Sequence, residues 1–234
     1  LEGPFLSVER RGAQNPEHIT AGDADLVREL AQLAGGALAT MTVAPEVEGA
    51  DEVIEALAEV GAVPSLGHTD GSSAQMTRAV AHARDELRRE HGRSALPTAT
   101  HLFNGMRPIH HRDPGPALAA LDAAASGDLV VEVIADGVHL DARTVAHVFA
   151  IAAEQHVVLV TDAMAAAGMP EGQYRLGALD VTVEAGVATL TGGSAIAGGT
   201  AHLLDVVRFA VLEAGVDLVR AVRAASSVPA AEIG

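Results

Sequence analysis

Five short stretches of the chain close hydrophobic runs with acidic or histidine side chains: Leu-Glu-Gly-Pro at 1–4, Gly-His-Thr-Asp at 67–70, Thr-His-Leu-Phe-Asn at 100–104, Asp-Gly-Val-His at 136–139 and Val-Thr-Asp-Ala at 160–163. Glu2, His68, His101, His139 and Asp162 thereby fall at the ends of expected strands. One carboxylate and two imidazoles, Glu2, His68 and His101, suit a divalent ion such as Zn²⁺ and leave a position open for water. Such an ion brings the pKa of its water down to about 7 and makes hydroxide available at neutral pH. Asp162 can take a proton from that water and deliver it to a leaving nitrogen. His139 can polarise a carbonyl or hold a substrate.

Each residue also has a plainer reading. A single His near a strand end is more often a hydrogen-bonded structural residue, and Asp162 alone can cap a following helix. Arg112, in His-His-Arg-Asp-Pro-Gly, can pair with Asp113 in a turn, or its guanidinium can bind an anionic group such as phosphate. His110 and His111 are adjacent in a segment read as extended, so their side chains are expected to point apart. They are read as loop residues, as are His18, His82, His91, His147, His156 and His202.

Side chains so far apart in sequence meet only if the fold brings strand ends together, and successive parallel strands of an α/β barrel do this at their C-terminal face. The apolar runs 37–43, 63–66, 98–102, 129–135 and 157–161 read as buried strands, and with the opening segment they give six β units. Helical spacing covers 47–60, 73–90, 116–126, 144–154, 201–214 and 217–225, the last ending near Pro229. Six units suit a barrel short of two strands or an open doubly wound sheet, and the barrel is preferred. Residues 174–191 alternate apolar and polar around Glu184-Ala185-Gly186, which reads as an inserted β-hairpin. The glycine-rich run 192–199 lets backbone approach a ligand.

The chain has 234 residues, 49% of them hydrophobic, enough for one sizeable core and one domain. A formal charge of −16 argues against non-specific nucleic-acid binding, while a small anionic substrate needs only a local cationic pocket. With no cysteine, a metal must be held by oxygen and nitrogen. No apolar run approaches the roughly 20 residues of a membrane span, so a soluble, cytoplasmic protein is expected. The sequence opens at Leu1 without a Met and already inside a strand-like motif, so an upstream segment is expected.

The ordered series Leu-Glu-Gly-Pro-Phe-Leu, Arg-Gly-Ala-Gln-Asn-Pro (11–16), Gly-His-Thr-Asp, Thr-His-Leu-Phe-Asn-Gly-Met (100–106), Arg-Asp-Pro-Gly (112–115), Ile-Ala-Asp-Gly-Val-His (134–139) and Val-Thr-Asp-Ala resembles the N-acetylglucosamine-6-phosphate deacetylases of the amidohydrolase superfamily. The resemblance implies a TIM-like (β/α) barrel lacking its first strands and the family's small β-sandwich. It implies hydrolysis of the acetamide of N-acetylglucosamine 6-phosphate to glucosamine 6-phosphate and acetate. The family's metal ligands fall on Glu2, His68 and His101 and its catalytic aspartate on Asp162. Its substrate contacts fall on Ala13, Gln14, Asn104, Gly105, Arg112, Asp136, Gly137, Val138, His139, Ile196, Ala197 and Gly198. A homodimer is implied, with Arg112 reaching the phosphate in the neighbouring site. Zn²⁺, Fe²⁺, Mn²⁺ or Co²⁺ fit the ligand set, as one ion or two. Alternatives are deacetylation of another sugar such as N-acetylgalactosamine 6-phosphate, or a barrel remnant that binds sugar phosphate without turnover.

Overall fold

The computed structural model describes all 234 residues, Leu1–Gly234. Five parallel strands, β1 (Thr40–Val43), β2 (Val63–Leu66), β3 (Thr98–Ala99), β4 (Val130–Val133) and β5 (Val157–Leu159), pair in chain order. Between them run α2 (Ala50–Glu59), α3 (Ser73–Glu90), α4 (Gly115–Ser126) and α5 (Ala142–Ile151), with α1 (Ala24–Leu33) before β1. After β5 come α6 (Leu203–Leu212), α7 (Leu218–Ala224) and α8 (Ser227–Ile233). Each helix touches the next in the same order as the strands. A doubly wound sheet reverses its strand order and carries helices on both faces. The order here never reverses, which excludes that alternative.

The helices start where the sequence supplies caps. Asp23 accepts the N–H groups of Asp25 and Leu26 at α1, Ser72 and Gln75 form a reciprocal capping box at α3, and Asp141 accepts from Arg143 at α5. Two helices escape the sequence reading. α1 was not anticipated, and α8 continues past Pro229, which sits in its first turn, where a missing N–H leaves no bond unmade.

Along the strands the side chains alternate. Met41, Val43, Leu66, Val131, Val133, Val157 and Leu159 enter the main core beneath the helices. Thr42 and Ser65 belong to the other set, and both bond the Thr100 hydroxyl, Oγ1···Oγ1 at 2.9 Å and Oγ···Oγ1 at 2.6 Å. Buried hydroxyls so paired satisfy one another. The sheet is prolonged at each edge by one parallel bridge, Glu2 with Thr42 and Ala163 with Gly199. The opening segment is thus a bridge rather than a full strand.

The expected hairpin at 174–191 is instead three antiparallel strands, β6 (Gly172–Leu176), β7 (Leu179–Glu184) and β8 (Val187–Leu190). The turn at Ala185-Gly186 is where the sequence placed it, and both residues have positive φ, 50° and 77°, as a tight hairpin requires. The second turn, at Gly177 (φ 57°), pairs Leu176 with Leu179 and had been read as strand. Val181, Val183 and Ala188 of this sheet pack with Met164, Ala166 and Ala197 in a small separate core.

Gly67 ends β2 just before His68, and a Cβ there would lie 2.8 Å from Thr100 Cβ. Gly67→Ala therefore forces β2 and the Thr100 segment apart, an overpacking that costs about 1–3 kcal/mol. A lowered thermal midpoint checks this; an unchanged midpoint would mean the strands yield freely.

Candidate active site and metal centre

Three of the chain's six non-glycine residues with positive φ follow strands directly: His68 (47°), His101 (29°) and Asp162 (49°). Left-handed backbone is strained for such residues and clusters at functional sites. It turns their side chains out of the strand direction toward one point. Glu2 Oε1 lies 2.6 Å from His68 Nε2 and 3.0 Å from His101 Nε2, and the two Nε2 atoms are 3.0 Å apart. Both imidazoles are buried, at 5% exposure each.

The proton count at this cluster points to a cation. His68 Nδ1 lies 2.7 Å from the backbone carbonyl oxygen of Arg10, which can only accept, so Nδ1 carries the hydrogen. A neutral His68 then aims an Nε2 lone pair at a carboxylate oxygen. Two acceptors at 2.6 Å repel unless a proton or a metal ion lies between them. A carboxylate and two imidazole nitrogens are also a donor set that divalent zinc and its neighbours accept. The residues fit the group.

Electrostatics around the cluster is coupled. Burial pushes the Glu2 carboxyl up, but the hydrogen bonds and charge that His101 and His68 supply when protonated at Nε2 outweigh it and hold Glu2 well below the usual carboxylate range. Burial works to lower His101, and the bond and charge of Glu2, with the charges of Asp162 and Glu132, raise it instead. Asp162 is raised by desolvation against the pull of His101, with the charge of Glu2 adding to the rise. Glu132, whose Oε2 accepts the His101 backbone N–H at 3.3 Å, is raised mainly by burial.

A cleft of about 480 Å³ opens over the cluster. Glu2, His68, His101, Asp162 and His139 line it, together with Ala13, Gln14, Asn104, Gly105, Ile196, Ala197 and Gly198. The Gln14 side-chain amide donates to Glu2 Oε2, and Asn104 Nδ2 donates to the His101 carbonyl at 3.1 Å. Gly105 passes so near His68 that a Cβ would come 2.7 Å from its Nδ1. No helix follows Asp162 directly, so its helix-cap reading is withdrawn.

Four expected substrate contacts lie elsewhere. Asp136, Gly137 and Val138 do not line the cleft. Asp136 is engaged by its own turn: Oδ1 accepts the backbone N–H groups of Val138 and His139 at 2.9 and 2.8 Å, and Oδ2 accepts His139 Nδ1–H at 2.7 Å. Gly137 packs under Phe209, and the Val138 side chain is exposed. Arg112 sits on an exposed turn, donating to His111 Nε2 at 2.7 Å, while Asp113 pairs with Arg107. His110 and His111 do not point apart: a turn closed by the His110–Asp113 bridge brings their ring centroids to 4.2 Å, with the planes tilted by 41°. His82 and His147 lie on helices α3 and α5 rather than in loops, and His202 caps α6.

His82 also joins Glu55 and Glu86 in a second group of metal-type ligands on the outer helices. There Arg89 binds both Glu86 oxygens and balances that carboxylate without an ion. The strand-end cluster has no such cation. Sequence reasoning missed Glu46 and Glu132, which touch the loops carrying His68 and His101. A lone Glu, whether after a strand as Glu46 or within one as Glu132, carries no signal of that contact.

A parallel α/β sheet with a Glu-His-His cluster and an acid at its strand ends defines the class of this protein. No family model matches the chain. It is 36% identical over 194 residues to N-acetylglucosamine-6-phosphate deacetylase of Bacillus subtilis, covering 83% of this chain and 45% of that protein. It is 35% identical over 240 residues to the Bos taurus protein of the same name, covering 100% and 55%. Among solved structures, a variant of the Mycobacterium smegmatis deacetylase in complex with N-acetyl-D-glucosamine-6-phosphate superposes with a TM-score of 0.90 at 37% identity, covering 100% of this chain and 58% of that one. The Pasteurella multocida deacetylase gives 0.85 at 29%, covering 100% and 56%. The chain is homologous along its length to the N-acetylglucosamine-6-phosphate deacetylases. It spans about half the length of the curated relatives it matches.

The Asp136–His139 pair yields a pH-dependent prediction. Burial raises Asp136, but the bonds from His139 and from backbone N–H groups prevail and lower it. A carboxyl lowered in the folded state stabilises above its unfolded pKa, about 3.9, and that stability is lost as pH falls through the folded value. Asp136→Asn, which leaves His139 Nδ1–H without its acceptor, is expected to cost about 1–3 kcal/mol at neutral pH. Thermal midpoints across pH should show a gap to wild type that closes below about pH 4. A gap that persists in acid would assign the loss to packing instead.

Proposed function

We propose that this chain builds the active site of a metal-dependent deacetylase that hydrolyses the acetamide of N-acetylglucosamine 6-phosphate to glucosamine 6-phosphate and acetate. The observation that carries the reading is the convergence of Glu2, His68 and His101, with His68 Nε2 forced to face a carboxylate, beside Asp162 in one cleft. Monotonic strand order and a single helix layer support a metal-dependent hydrolase barrel. On this reading residues 1–234 form one partial barrel domain carrying β6–β8 as an insertion.

Glu2, His68 and His101 hold the metal, with zinc preferred over iron, manganese or cobalt. A divalent ion there supplies Lewis acidity and a water of lowered pKa. Asp162 accepts the proton of the attacking water as its oxygen bonds to the acetyl carbon. Donation from His139 Nε2 to the developing oxyanion requires the imidazolium, whose charge the Asp136 carboxylate balances. Asp162 then passes its proton to the nitrogen, the C–N bond breaks, and amine and acetate leave. Gln14 keeps Glu2 oriented through its second oxygen. The backbones of Gly105, Ala197 and Gly198 give the sugar a close approach.

The exposed guanidinium of Arg112, outside the cleft, supports the reading that it reaches the phosphate in a neighbouring subunit of a homodimer. No helix is long and apolar enough to cross a membrane, and a sugar phosphate substrate fits a cytoplasmic enzyme.

The deciding measurement is acetate release from N-acetylglucosamine 6-phosphate by the 234-residue chain, with Zn²⁺ and with a chelated control. Chelator-sensitive release is expected, faster than from N-acetylgalactosamine 6-phosphate. Folded, metal-loaded protein that binds the sugar without releasing acetate would leave the binding remnant as the better reading. Asp162→Asn should keep its metal and lose about 10²–10⁴-fold in turnover, whereas His101→Ala should lose metal by elemental analysis. Equal turnover by Asp162→Asn would remove that residue from the mechanism.

A further inference from the structure

His68 holds a left-handed backbone (φ 47°) at the head of the loop 68–71, and a non-glycine residue stays there only if its surroundings keep it. Two backbone bonds help: Ser7 N–H donates to the His68 carbonyl at 2.9 Å, and Thr69 N–H donates to the Gly105 carbonyl at 2.9 Å. The remaining hold comes from Glu46, three residues beyond β1. Its Oε1 accepts the Asp70 backbone N–H at 2.6 Å and its Oε2 accepts the Thr69 hydroxyl. The Thr69 Oγ1 in turn accepts Gly71 N–H at 2.9 Å. One carboxylate thus ties residues 69, 70 and 71.

The tie continues to the imidazole. Asp70, fixed by its amide, accepts Arg10 Nε–H at 2.7 Å, and the Arg10 carbonyl accepts His68 Nδ1–H at 2.7 Å. That last bond sets the tautomer of His68 and leaves Nε2 free to ligate. His101, by contrast, has a buried Nδ1 with no partner. Of the two imidazoles, only His68 has its tautomer set from behind.

We propose that Glu46 is a positioning residue for His68: by fastening residues 69–71 it holds Asp70 and, through Arg10, the ring orientation and tautomer that present Nε2 to Glu2 and His101. The proposal rests on the metal-site reading, and its test separates the two. Outer contacts of this kind typically change metal affinity 10- to 100-fold. Glu46→Ala removes both acceptors, while Glu46→Gln keeps an oxygen for the Asp70 amide and serves as the conservative rescue. Gly71→Ala is a second approach that leaves Glu46 in place, since its Cβ would sit 2.9 Å from Thr69 Oγ1 and 3.1 Å from Glu46 Oε2 and wedge the pair apart.

Two readouts are taken on the full 234-residue chain. Zn²⁺ affinity by competition with a chromophoric chelator should fall about 10- to 100-fold in Glu46→Ala, less in Gly71→Ala, and recover most of the way in Glu46→Gln. Imidazole ¹⁵N chemical shifts of the metal-free protein should show His68 held as the Nδ1–H tautomer in wild type and Glu46→Gln, and mixed in Glu46→Ala. A Glu46→Ala protein that melts earlier yet keeps wild-type Zn²⁺ affinity and a pure Nδ1–H tautomer would overturn the proposal. If wild type binds no Zn²⁺, the metal-site reading fails, and the ¹⁵N shifts still decide whether Glu46 orients the ring. Should Glu46→Ala not fold, Gly71→Ala carries both readouts, and unchanged values there would likewise overturn it.

Discussion

Lone pairs that face each other at hydrogen-bond distance repel, and the centre of this protein is built around that repulsion. Glu2 Oε1 and the Nε2 atoms of His68 and His101 lie within 3.0 Å of one another, and the Arg10 carbonyl keeps the His68 proton on the far nitrogen. An arrangement like this is unfavourable without positive charge between the donors. It is also held against backbone preference, since His68 and His101 both adopt left-handed φ, a strain of about 1–3 kcal/mol per residue. The surrounding structure stabilises what the cluster alone would not keep.

The parallel sheet provides that hold. Ladder bonds continue past the regular strand into the site: Thr100 N–H donates to the Leu66 carbonyl at 3.1 Å, and Leu102 N–H donates to the Glu132 carbonyl at 2.8 Å. His101 lies between these two anchors, so its reversed φ is enclosed on both sides. β3 is only two residues long for the same reason, because the chain leaves strand geometry to aim His101. Asp162 is treated likewise at the other edge. There Gly199 approaches so closely that a Cβ would lie 2.0 Å from the Thr161 carbonyl, and its N–H donates to the Asp162 carbonyl at 2.6 Å. Rigid strands thus set the ligands, and glycine permits the neighbouring backbone to close over them.

What could be read from the sequence divides along the same line. β2 and α3 were legible to the residue, because β2 is wholly buried and α3 opens with a capping box whose Ser and Gln stand three apart. The runs 98–102, 129–135 and 157–161 read too long, since an apolar run continues past the last ladder pair, as Ile134 and Ala135 stay buried beyond the end of β4, and hydrophobicity reports burial rather than ladder pairing. α8 was lost to a rule that Pro ends helices, which does not hold in a first turn. Glu2, His68, His101 and Asp162 read as one group because acid and histidine side chains close successive apolar runs, and the fold brings all four to one cleft. Asp136 is expected from the resemblance among the substrate contacts, and what the fold adds is that its spacing to His139 describes a turn that feeds the imidazole its acceptor. Glu46 and Glu132 were invisible, as one Glu among 31 acidic residues has no mark of its partner until the loops are folded.

The distribution of charge then constrains how an anionic sugar could be held. Glu2 and Asp162 line the cleft and make its floor acidic, while Glu132 acts on His101 from outside the lining. A dication would balance that floor; a phosphate placed there would face the carboxylates of Glu2 and Asp162. The cleft lining contains no Arg or Lys. On the proposed function, a substrate carrying both an amide and a phosphate would enter amide first, with its phosphate directed outward to a cation beyond the cleft wall. Arg112, exposed on its turn and free of any carboxylate partner, has the chemistry for that end.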